Sequence, residues 1–333
     1  MAIRAALLSS IASSIKTYRE GQIERPNEEH VDRWVSQFPP EKQLAILEEM
    51  SPLMTKCFLT KDWMSTKLQD LAYSSKVAGA NPAGYWPKVN FLNVQHKGNS
   101  QTEMLRLFGE KLQAIYGIDV KNCGSVDGDY MYLDDIMCTG SRVGTDLESW
   151  IANEAPAKAT LHVVGIVTHT SGGYYLRTTR LQQANDRSGK AINIHYWYVL
   201  EIENTKPRKN TSEVLWPVAL PADVEMQAYF QAQRFPLEPR IVIPQKSRIF
   251  SSEQGRQVLE NEFLLAGMTI RSQQDNPKDA LKPLGFGGFG VGFGSTFATY
   301  RNCPNTAPLA IWWGEGRDYG PLQWYPLLPR ITY

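Results

Sequence analysis

The fold is decided by the segment YMYLDDIMCTGSRV, residues 130–143. Its first half predicts a buried strand that ends in two adjacent carboxylates, Asp134 and Asp135. A hydroxyl-rich turn follows, and apolar residues spaced i, i+4, i+7 and i+8 from Val143 predict a helix. A strand, turn and helix in this order place backbone N–H groups and the positive helix end beside a loop, where a phosphate can bind. They also place the acids at the carboxyl end of a strand, where open α/β sheets bind ligands.

The flanking sequence predicts further strands and helices in alternation. Strands are predicted at 89–94, 118–120, 158–168 and 192–202, and helices at 101–117, 174–190 and 254–266. Such alternation implies a mostly parallel sheet with helices on its faces. We therefore predict the fold class α/β, with one domain over residues 84–333 and an insertion in it around 172–283.

The N-terminal part of the chain predicts a different structure. Apolar residues recur at helical spacing through residues 1–80, with Pro39-Pro40 between two helices and a third helix over about 54–73. The breaker cluster Asn-Pro-Ala-Gly at 81–84 follows. We predict an all-helical domain over 1–80 that serves as a cap or as a partner-docking domain.

Composition excludes several classes of protein. The 333 residues include 35 Lys and Arg against 34 Asp and Glu, a balance that argues against a protein that coats nucleic acid through its charge. The four cysteines show no Cys-x-x-Cys spacing, so we expect reduced thiols rather than a zinc site. No apolar run approaches the roughly 18 residues that a membrane-spanning helix needs. We expect a cytoplasmic protein without a membrane partner.

Residues 133–141, LDDIMCTGS, resemble a known motif. It is the motif with which type I phosphoribosyltransferases bind 5-phosphoribosyl-1-pyrophosphate (PRPP): two hydrophobic residues, Asp-Asp, a spacer and Thr-Gly-x-Thr. The chain matches the strand, both acids, the spacer length and the Thr-Gly pair. It departs at Cys138, before that pair, and at Arg142 in the final position, where many members carry threonines. The resemblance covers about residues 88–170 and implies a phosphoribosyltransferase-like fold.

A wider resemblance concerns the whole chain. The helical front segment, the motif and a C-terminal Asn-x-Pro-Asn-Thr at 302–306 with Trp-Trp at 312–313 are similar to a divergent phosphoribosyltransferase-like group of bacterial defence systems. This resemblance implies a role in anti-phage defence, with other proteins of a defence system as partners and nucleic acid reached only through a complex. The alternative is a non-catalytic defence-complex subunit that docks a protein or nucleic-acid partner through 1–80 and the basic loop 206–209.

The resemblance also implies a site and a chemistry. Asp134 and Asp135 would be the catalytic pair, accepting hydrogen bonds from the ribose 2′ and 3′ hydroxyls and holding Mg²⁺ indirectly, through those hydroxyls or water. Thr139, Gly140 and Ser141 are implied to bind the 5′-phosphate, and Cys138 is implied to belong to the same binding loop. Arg142 either adds a cation there or points outward. The implied reaction is Mg²⁺-dependent displacement of pyrophosphate at the anomeric carbon, although a pocket that only binds the sugar phosphate stays open. Without the resemblance, the two acids could simply be solvated residues of a turn.

The loop at His96, Lys97 and Gly98 follows a predicted strand and precedes a predicted helix. It can contact the pyrophosphate, in the place where the family keeps its pyrophosphate loop, or it can be an ordinary polar connection. The family also closes a long loop over its site. Only residues 121–129 separate the strands here, so we expect closure from the helical domain or from the glycine-rich segment 285–294.

That glycine-rich segment contains Gly-x-Gly-x-x-Gly spacings through its glycine density alone. We prefer a mobile lid or an irregular strand to a dinucleotide site, because no strand plainly precedes it and no helix follows. A nucleotide-binding oxidoreductase is therefore the weakest of the three hypotheses.

Residues 301–308 join two strand-like runs and are either a turn or a contact to a nucleobase. We expect core or surface roles for His162, His169 and His195, which lack metal-ligand spacing.

Overall fold

The computed structural model describes residues 2–96, 98–287, 290–314 and 324–331. The chain forms two compact units. One comprises Met1–Lys61 with Glu203–Thr332, and the other comprises Asp62–Ile202. Among the described residues, no helix is both long and apolar enough to cross a membrane.

The described residues contain thirteen α-helices and six strands, numbered here in chain order. The helices are α1 (Ala2–Ile15), α2 (Glu28–Val35), α3 (Pro40–Cys57), α4 (Lys61–Ala72), α5 (Ser75–Ala78), α6 (Pro82–Tyr85), α7 (Ser100–Tyr116), α8 (Ser141–Asn153), α9 (Thr170–Tyr175), α10 (Gln182–Ser188), α11 (Val224–Gln231), α12 (Glu253–Ser272) and α13 (Leu309–Trp312). The strands are β1 (Phe58–Leu59), β2 (Asn90–Phe91), β3 (Tyr130–Met137), β4 (Lys158–His169), β5 (Ala191–Ile202) and β6 (Ala298–Thr299). A π-helical stretch, Leu176–Leu181, joins α9 to α10.

The sheet of the second unit has four strands in the order β2-β3-β4-β5, and every neighbouring pair is parallel. Its register places Asp134 of β3 opposite Gly165 of β4. Because parallel strands end at the same edge of a sheet, α8 and α9 both begin at the carboxyl edge, just after β3 and β4. The α/β fold class predicted from the sequence, with a parallel sheet and flanking helices, is confirmed.

The core of this unit lies between one face of the sheet and the helices that follow β3 and β4. Alternate residues of a strand point to the same face, so Tyr132 of β3 and Val163 of β4 lie side by side and are fully buried. The residues that predicted the helix after the acids, Val143, Leu147, Trp150 and Ile151, are all buried in α8. Burial of each such side chain stabilises the fold by about 1.5–3 kcal/mol, which fixes α8 on the sheet.

The first unit joins the N-terminal helices to the C-terminal part of the chain. The Trp34 indole N–H of α2 donates to the Ala310 carbonyl of α13 at 2.8 Å. The Ser251 N–H, next to α12, donates to Glu49 of α3 at 2.7 Å. The two-residue strands β1 and β6 pair in parallel.

The boundary between the units differs from the predicted boundary at 80–84. It lies after Lys61, because α4 and the following helices belong with the sheet. The Trp86 indole N–H, for example, donates to the Ala72 carbonyl at the end of α4 at 2.9 Å. The predicted insertion is also divided, since residues from Glu203 onward join the first unit.

Three predicted elements are wrong in detail. Residues 118–120 form no strand; a 3₁₀ turn, Val120–Asn122, begins there because the Asp119 side chain accepts the Lys121 N–H at 3.0 Å. The helix predicted over 54–73 is interrupted by β1, between α3 and α4. The strand predicted at 89–94 pairs only over β2.

The C-terminal segments also differ from their predictions. Residues 301–308 lead from β6 into α13 rather than into a second strand. The described part of the glycine-rich segment forms no helix or strand, and its residues are buried or half-buried. A side chain at Gly285 would lie 2.3 Å from the Thr306 carbonyl oxygen, so this glycine permits close backbone packing. Residues 288–289 lie outside the described part of the chain.

Candidate functional site

The candidate site is built around the turn that joins β3 to α8. Gly140 lies at the N-cap of α8 with a φ of +71°, a left-handed conformation that favours glycine. The Thr139 hydroxyl accepts the Ser141 N–H at 3.3 Å. Since Gly140 has no side chain to cap the helix, the N–H groups of the first turn of α8 suit an anion. The predicted strand, turn and helix are therefore present.

Glycines bring this turn against the start of α9. A side chain at Gly172 would lie 1.8 Å from the Cys138 carbonyl oxygen, and one at Gly140 would lie 2.6 Å from the Gly172 carbonyl oxygen. The backbones after β3 and β4 are thus in direct contact. We did not single out Gly172 from the sequence; the available signal was the Ser-Gly-Gly run at 171–173 that follows a predicted strand.

The two acids are held by backbone hydrogen bonds. Oδ1 of Asp134 accepts the Asp135 N–H at 2.9 Å, and Oδ1 of Asp135 accepts the Ile136 N–H at 2.7 Å. The Ser100 hydroxyl, at the first residue of α7, also hydrogen-bonds to Asp134. Asp134 is only 4% exposed, whereas Asp135 is half-buried. Both carboxylates are therefore fixed in orientation before any ligand binds.

The protonation of Asp134 is strongly perturbed. Burial raises the pKa of Asp134 to about 7, and the charge of Asp135 raises it too. The hydrogen bond from Ser100, the Asp135 N–H and the charge of Arg142 act in the opposite direction. Near neutral pH this carboxyl is present in both protonation states, so it can donate or accept a hydrogen bond. Asp134 lies inside β3, which continues to Met137 instead of ending at the two acids as predicted. A strongly perturbed acid is a candidate functional residue.

The loop between β2 and α7 is anchored by two glutamines. Oε1 of Gln101 accepts the N–H groups of Val94 and Gln95 at 2.7 and 3.0 Å. The Gln95 side-chain amide donates to the Ser100 hydroxyl at 2.9 Å. The Gln101 side chain is fully buried, so these hydrogen bonds attach the loop to the interior of the unit. The sequence reasoning missed both glutamines, because a buried glutamine has no distinctive spacing.

Asp146 of α8 connects this loop to the sheet. Its Oδ1 accepts the His96 N–H at 3.2 Å, and its Oδ2 accepts the Tyr132 hydroxyl proton at 3.1 Å. Asp146 is 2% exposed, and a buried carboxylate is tolerated only where donors satisfy it. We missed this residue as well, although an acid at a core-facing position of an amphipathic helix was a usable signal.

Arg142 brings the loop and the acids together. Gly98 has a φ of +93°, and a side chain there would lie 2.7 Å from Nη1 of Arg142. The charge of the same guanidinium lowers the pKa of Asp134, which places it within electrostatic range of that acid. The structure therefore gathers Gly98, Arg142 and Asp134 at one edge of the sheet. Lys97 lies outside the described residues.

The acids do not form a metal site by themselves. Among the described residues, no three His, Cys, Asp or Glu side chains cluster in a way that could hold an ion. Mg²⁺ prefers six oxygen ligands and loses its waters reluctantly. Two carboxylates supply too few of these six oxygens, so a magnesium ion here would need oxygens from its ligand or from water.

A second polar cluster lies near the amino end of the sheet. The Trp197 indole N–H donates to Nδ1 of His162 at 2.9 Å, so Nε2 carries the proton that faces Asp129 at 3.2 Å. The Tyr85 hydroxyl donates to the same Asp129 oxygen at 2.9 Å. Burial lowers the pKa of His162, which is consistent with the neutral ring that these contacts require. His162 is a hydrogen-bonded core histidine, as predicted.

Comparison with known proteins gives one finding. The family model PRTase-CE, which describes a phosphoribosyltransferase-like family, matches residues 31–330. No curated protein and no solved structure matches the chain significantly. The match extends well beyond residues 88–170, to which the motif resemblance was limited, and it includes most of both compact units.

Proposed function

The chain belongs to the PRTase-CE family of phosphoribosyltransferase-like proteins, and from this we propose that it binds PRPP or a related ribose 5-phosphate compound at the carboxyl edge of its sheet. One observation carries the proposal. The acid pair, the start of α8 at Gly140 and the loop after β2 all lie near Arg142, which suits a ligand with a sugar, a 5′-phosphate and a pyrophosphate.

The acids suit the sugar. Adjacent cis hydroxyls of a ribose present two donors, and Asp134 and Asp135 present two carboxylates that backbone N–H groups hold in place. Hydrogen bonds to charged acceptors are roughly twice as strong as neutral ones. A ligand hydroxyl would also stabilise the ionised form of Asp134, whose charge is otherwise poorly solvated.

The turn and the loop suit the phosphates. The N–H groups at Gly140, Ser141 and Arg142 start a helix, where a 5′-phosphate gains from both hydrogen bonds and the helix dipole. Gly98 lies against Arg142, so the loop after β2 is positioned to meet the pyrophosphate, and Lys97 stays the predicted cation. Cys138 is buried in the turn and supports it through its carbonyl contact with Gly172.

Transfer of the phosphoribosyl group is the chemistry that this binding mode permits. The bond from the anomeric carbon to pyrophosphate would break, and an acceptor would form a new bond at that carbon. The chain would act mainly by positioning the reactants, which can supply a large part of a rate enhancement. Mg²⁺ would bind together with the ligand, which would supply some of its oxygen ligands.

A role in anti-phage defence belongs to the same proposal and is supported by the resemblance of the whole chain to a group from defence systems.

Calorimetry tests the binding step. PRPP, ribose 5-phosphate and pyrophosphate are titrated into the wild type and into the Asp134→Asn/Asp135→Asn double variant, with MgCl₂ present. Asp127→Asn is the matched control, because it removes the charge of an exposed acid just before β3. We expect wild-type binding of PRPP that weakens by about tenfold or more in the double variant, the effect of losing about 1.4 kcal/mol.

Equal heats for the wild type and the double variant, or no heat for the wild type, contradict the proposal. Release of pyrophosphate over a panel of bases and nucleotides then separates an enzyme from a protein that only binds. Binding without release would favour a defence subunit that uses the pocket as a sensor.

A further inference from the structure

Arg142 stands where the resembling motif carries a hydroxyl side chain, and the structure shows where its charge lies. It is the second residue of α8, and its Nη1 would be 2.7 Å from a side chain at Gly98. Its charge lowers the pKa of Asp134 and that of the Tyr132 hydroxyl, both on β3. The guanidinium therefore lies beside the loop after β2 and within electrostatic range of the acids.

The connection that leads to Gly98 is anchored at its described start, residues 94–96. Asp146, one helical turn after Arg142, accepts the His96 N–H, and the buried Gln101 accepts two further N–H groups of the same connection. Because Gly98 has no side chain, the guanidinium can occupy the space beside it; any side chain at this position would clash with the guanidinium. The chain thus places a cation beside the loop before any ligand binds, and such preorganisation reduces the entropy lost on binding.

The chemistry of a guanidinium suits a diphosphate. It stays charged at every physiological pH and presents five donors in a planar fork that matches phosphate oxygens in pairs. In an active site, such a cation and a divalent metal do the same electrostatic work, since both neutralise charge on phosphoryl oxygens. The described residues offer the metal only two carboxylates, each already accepting a backbone N–H.

We propose that Arg142 takes over the charge-neutralising part of the metal's role, so that this chain binds its phosphoribosyl ligand largely independently of divalent cations. The inference rests on the proposed function and assigns the Arg142 side chain to the pyrophosphate rather than to the 5′-phosphate, because its guanidinium lies beside Gly98 in the loop after β2. Arg142 is then a specificity-determining residue for ligands with a diphosphate, or another phosphate, on the anomeric carbon.

The test compares PRPP binding by calorimetry in excess EDTA and in saturating MgCl₂. The proteins are the wild type, Arg142→Ala, Arg142→Lys and the control Arg106→Ala. Arg106 is an exposed arginine of α7 that pairs with Glu103 and Glu110 of its own helix, so its removal changes net charge equally. Circular dichroism checks that each variant is folded.

We expect the wild-type Kd in EDTA to lie within about threefold of its value in MgCl₂. In EDTA, Arg142→Ala should weaken binding by roughly 10- to 100-fold, the effect of losing a charged hydrogen-bonding partner. MgCl₂ should restore most of that loss. Arg142→Lys should retain part of the affinity in EDTA, because the charge remains while the fork is lost, and Arg106→Ala should behave as the wild type.

Different failures have different meanings. Wild-type binding that disappears in EDTA overturns this inference and leaves the proposed function intact. A loss in Arg142→Ala that MgCl₂ does not restore shows that the arginine only supports the loop, and it overturns the inference too. If the wild type binds in neither buffer, the proposed function fails and the inference fails with it.

Discussion

Replacement of Asp134 by Asn should make the protein more stable at neutral and alkaline pH. Asp134 is 4% exposed, and its burial raises its pKa from 3.8 to about 7. In the unfolded chain the same carboxyl ionises near its ordinary pKa. The folded state therefore has to keep a proton, or a poorly solvated charge, that the unfolded state gives up without cost.

The sign and size follow from linkage. Below about pH 3.8 both states are protonated and the group contributes no penalty. Stability is then lost as the pH rises towards about 7, and the loss is constant above that. A tenfold difference in proton affinity is worth about 1.4 kcal/mol, so the full penalty is on the order of 2–4 kcal/mol, since the charge of Asp135 shares in the effect. Asn keeps the oxygen that accepts the Asp135 N–H but removes the charge.

Denaturation by guanidinium chloride, followed by tryptophan fluorescence, measures the difference. Four of the nine tryptophans lie in the unit that contains Asp134, so the transition includes the unfolding of that unit. We expect Asp134→Asn to gain about 2–4 kcal/mol near pH 8 and less than half of that near pH 5. The slope of the transition should match that of the wild type, and Asp127→Asn should leave stability unchanged at both values.

The reasoning is refuted if Asp134→Asn is no more stable than the wild type near pH 8. It is also refuted if the gain is the same at both pH values, because a packing effect does not titrate. The expected combination is a more stable protein that binds its ligand less well. Functional sites commonly show this trade-off, since they keep charges that the fold alone would not favour.

Two further substitutions, Gly172→Ala with Gly173→Ala as its control and Asp146→Asn, test the architecture of the site. Gly172→Ala places a methyl group 1.8 Å from the Cys138 carbonyl oxygen and should lower stability by about 1–3 kcal/mol, measured as a shift in denaturation midpoint. Gly173→Ala, whose nearest contact is a side-chain methyl at 3.0 Å, should cost less, and an equal loss would contradict the contact. Asp146→Asn leaves one of its two donors, the His96 N–H or the buried Tyr132 hydroxyl, without an acceptor, so it should cost about 1–3 kcal/mol and weaken PRPP binding; unchanged affinity would separate Asp146 from the site.

The division into two units could not be predicted from sequence patterns. Helical periodicity identified the N-terminal helices, but it carried no information on which surface covers them. Trp34 finds its hydrogen-bond partner 276 positions along the chain, at Ala310. Such contacts depend on shape and burial rather than on local spacing, so the boundary near residue 80 could not be corrected from the sequence.

For the site, the sequence predicted the elements within residues 130–151, but it did not predict which other residues lie against them. The strand, the two acids, the Thr-Gly turn and the helix after it depend on hydrophobic period and turn chemistry within residues 130–151, which are local properties. The placement of Arg142 against Gly98, and the support from Asp146 and Gln101, required the tertiary structure. The Arg142–Gly98 and Asp146–His96 contacts join residues 44 and 50 positions apart and exist only when the sheet sets β2 beside β3, whereas the Gln101 contacts are local but follow from its burial. The perturbed pKa of Asp134 has the same origin, because burial is a property of the folded chain and not of the residue.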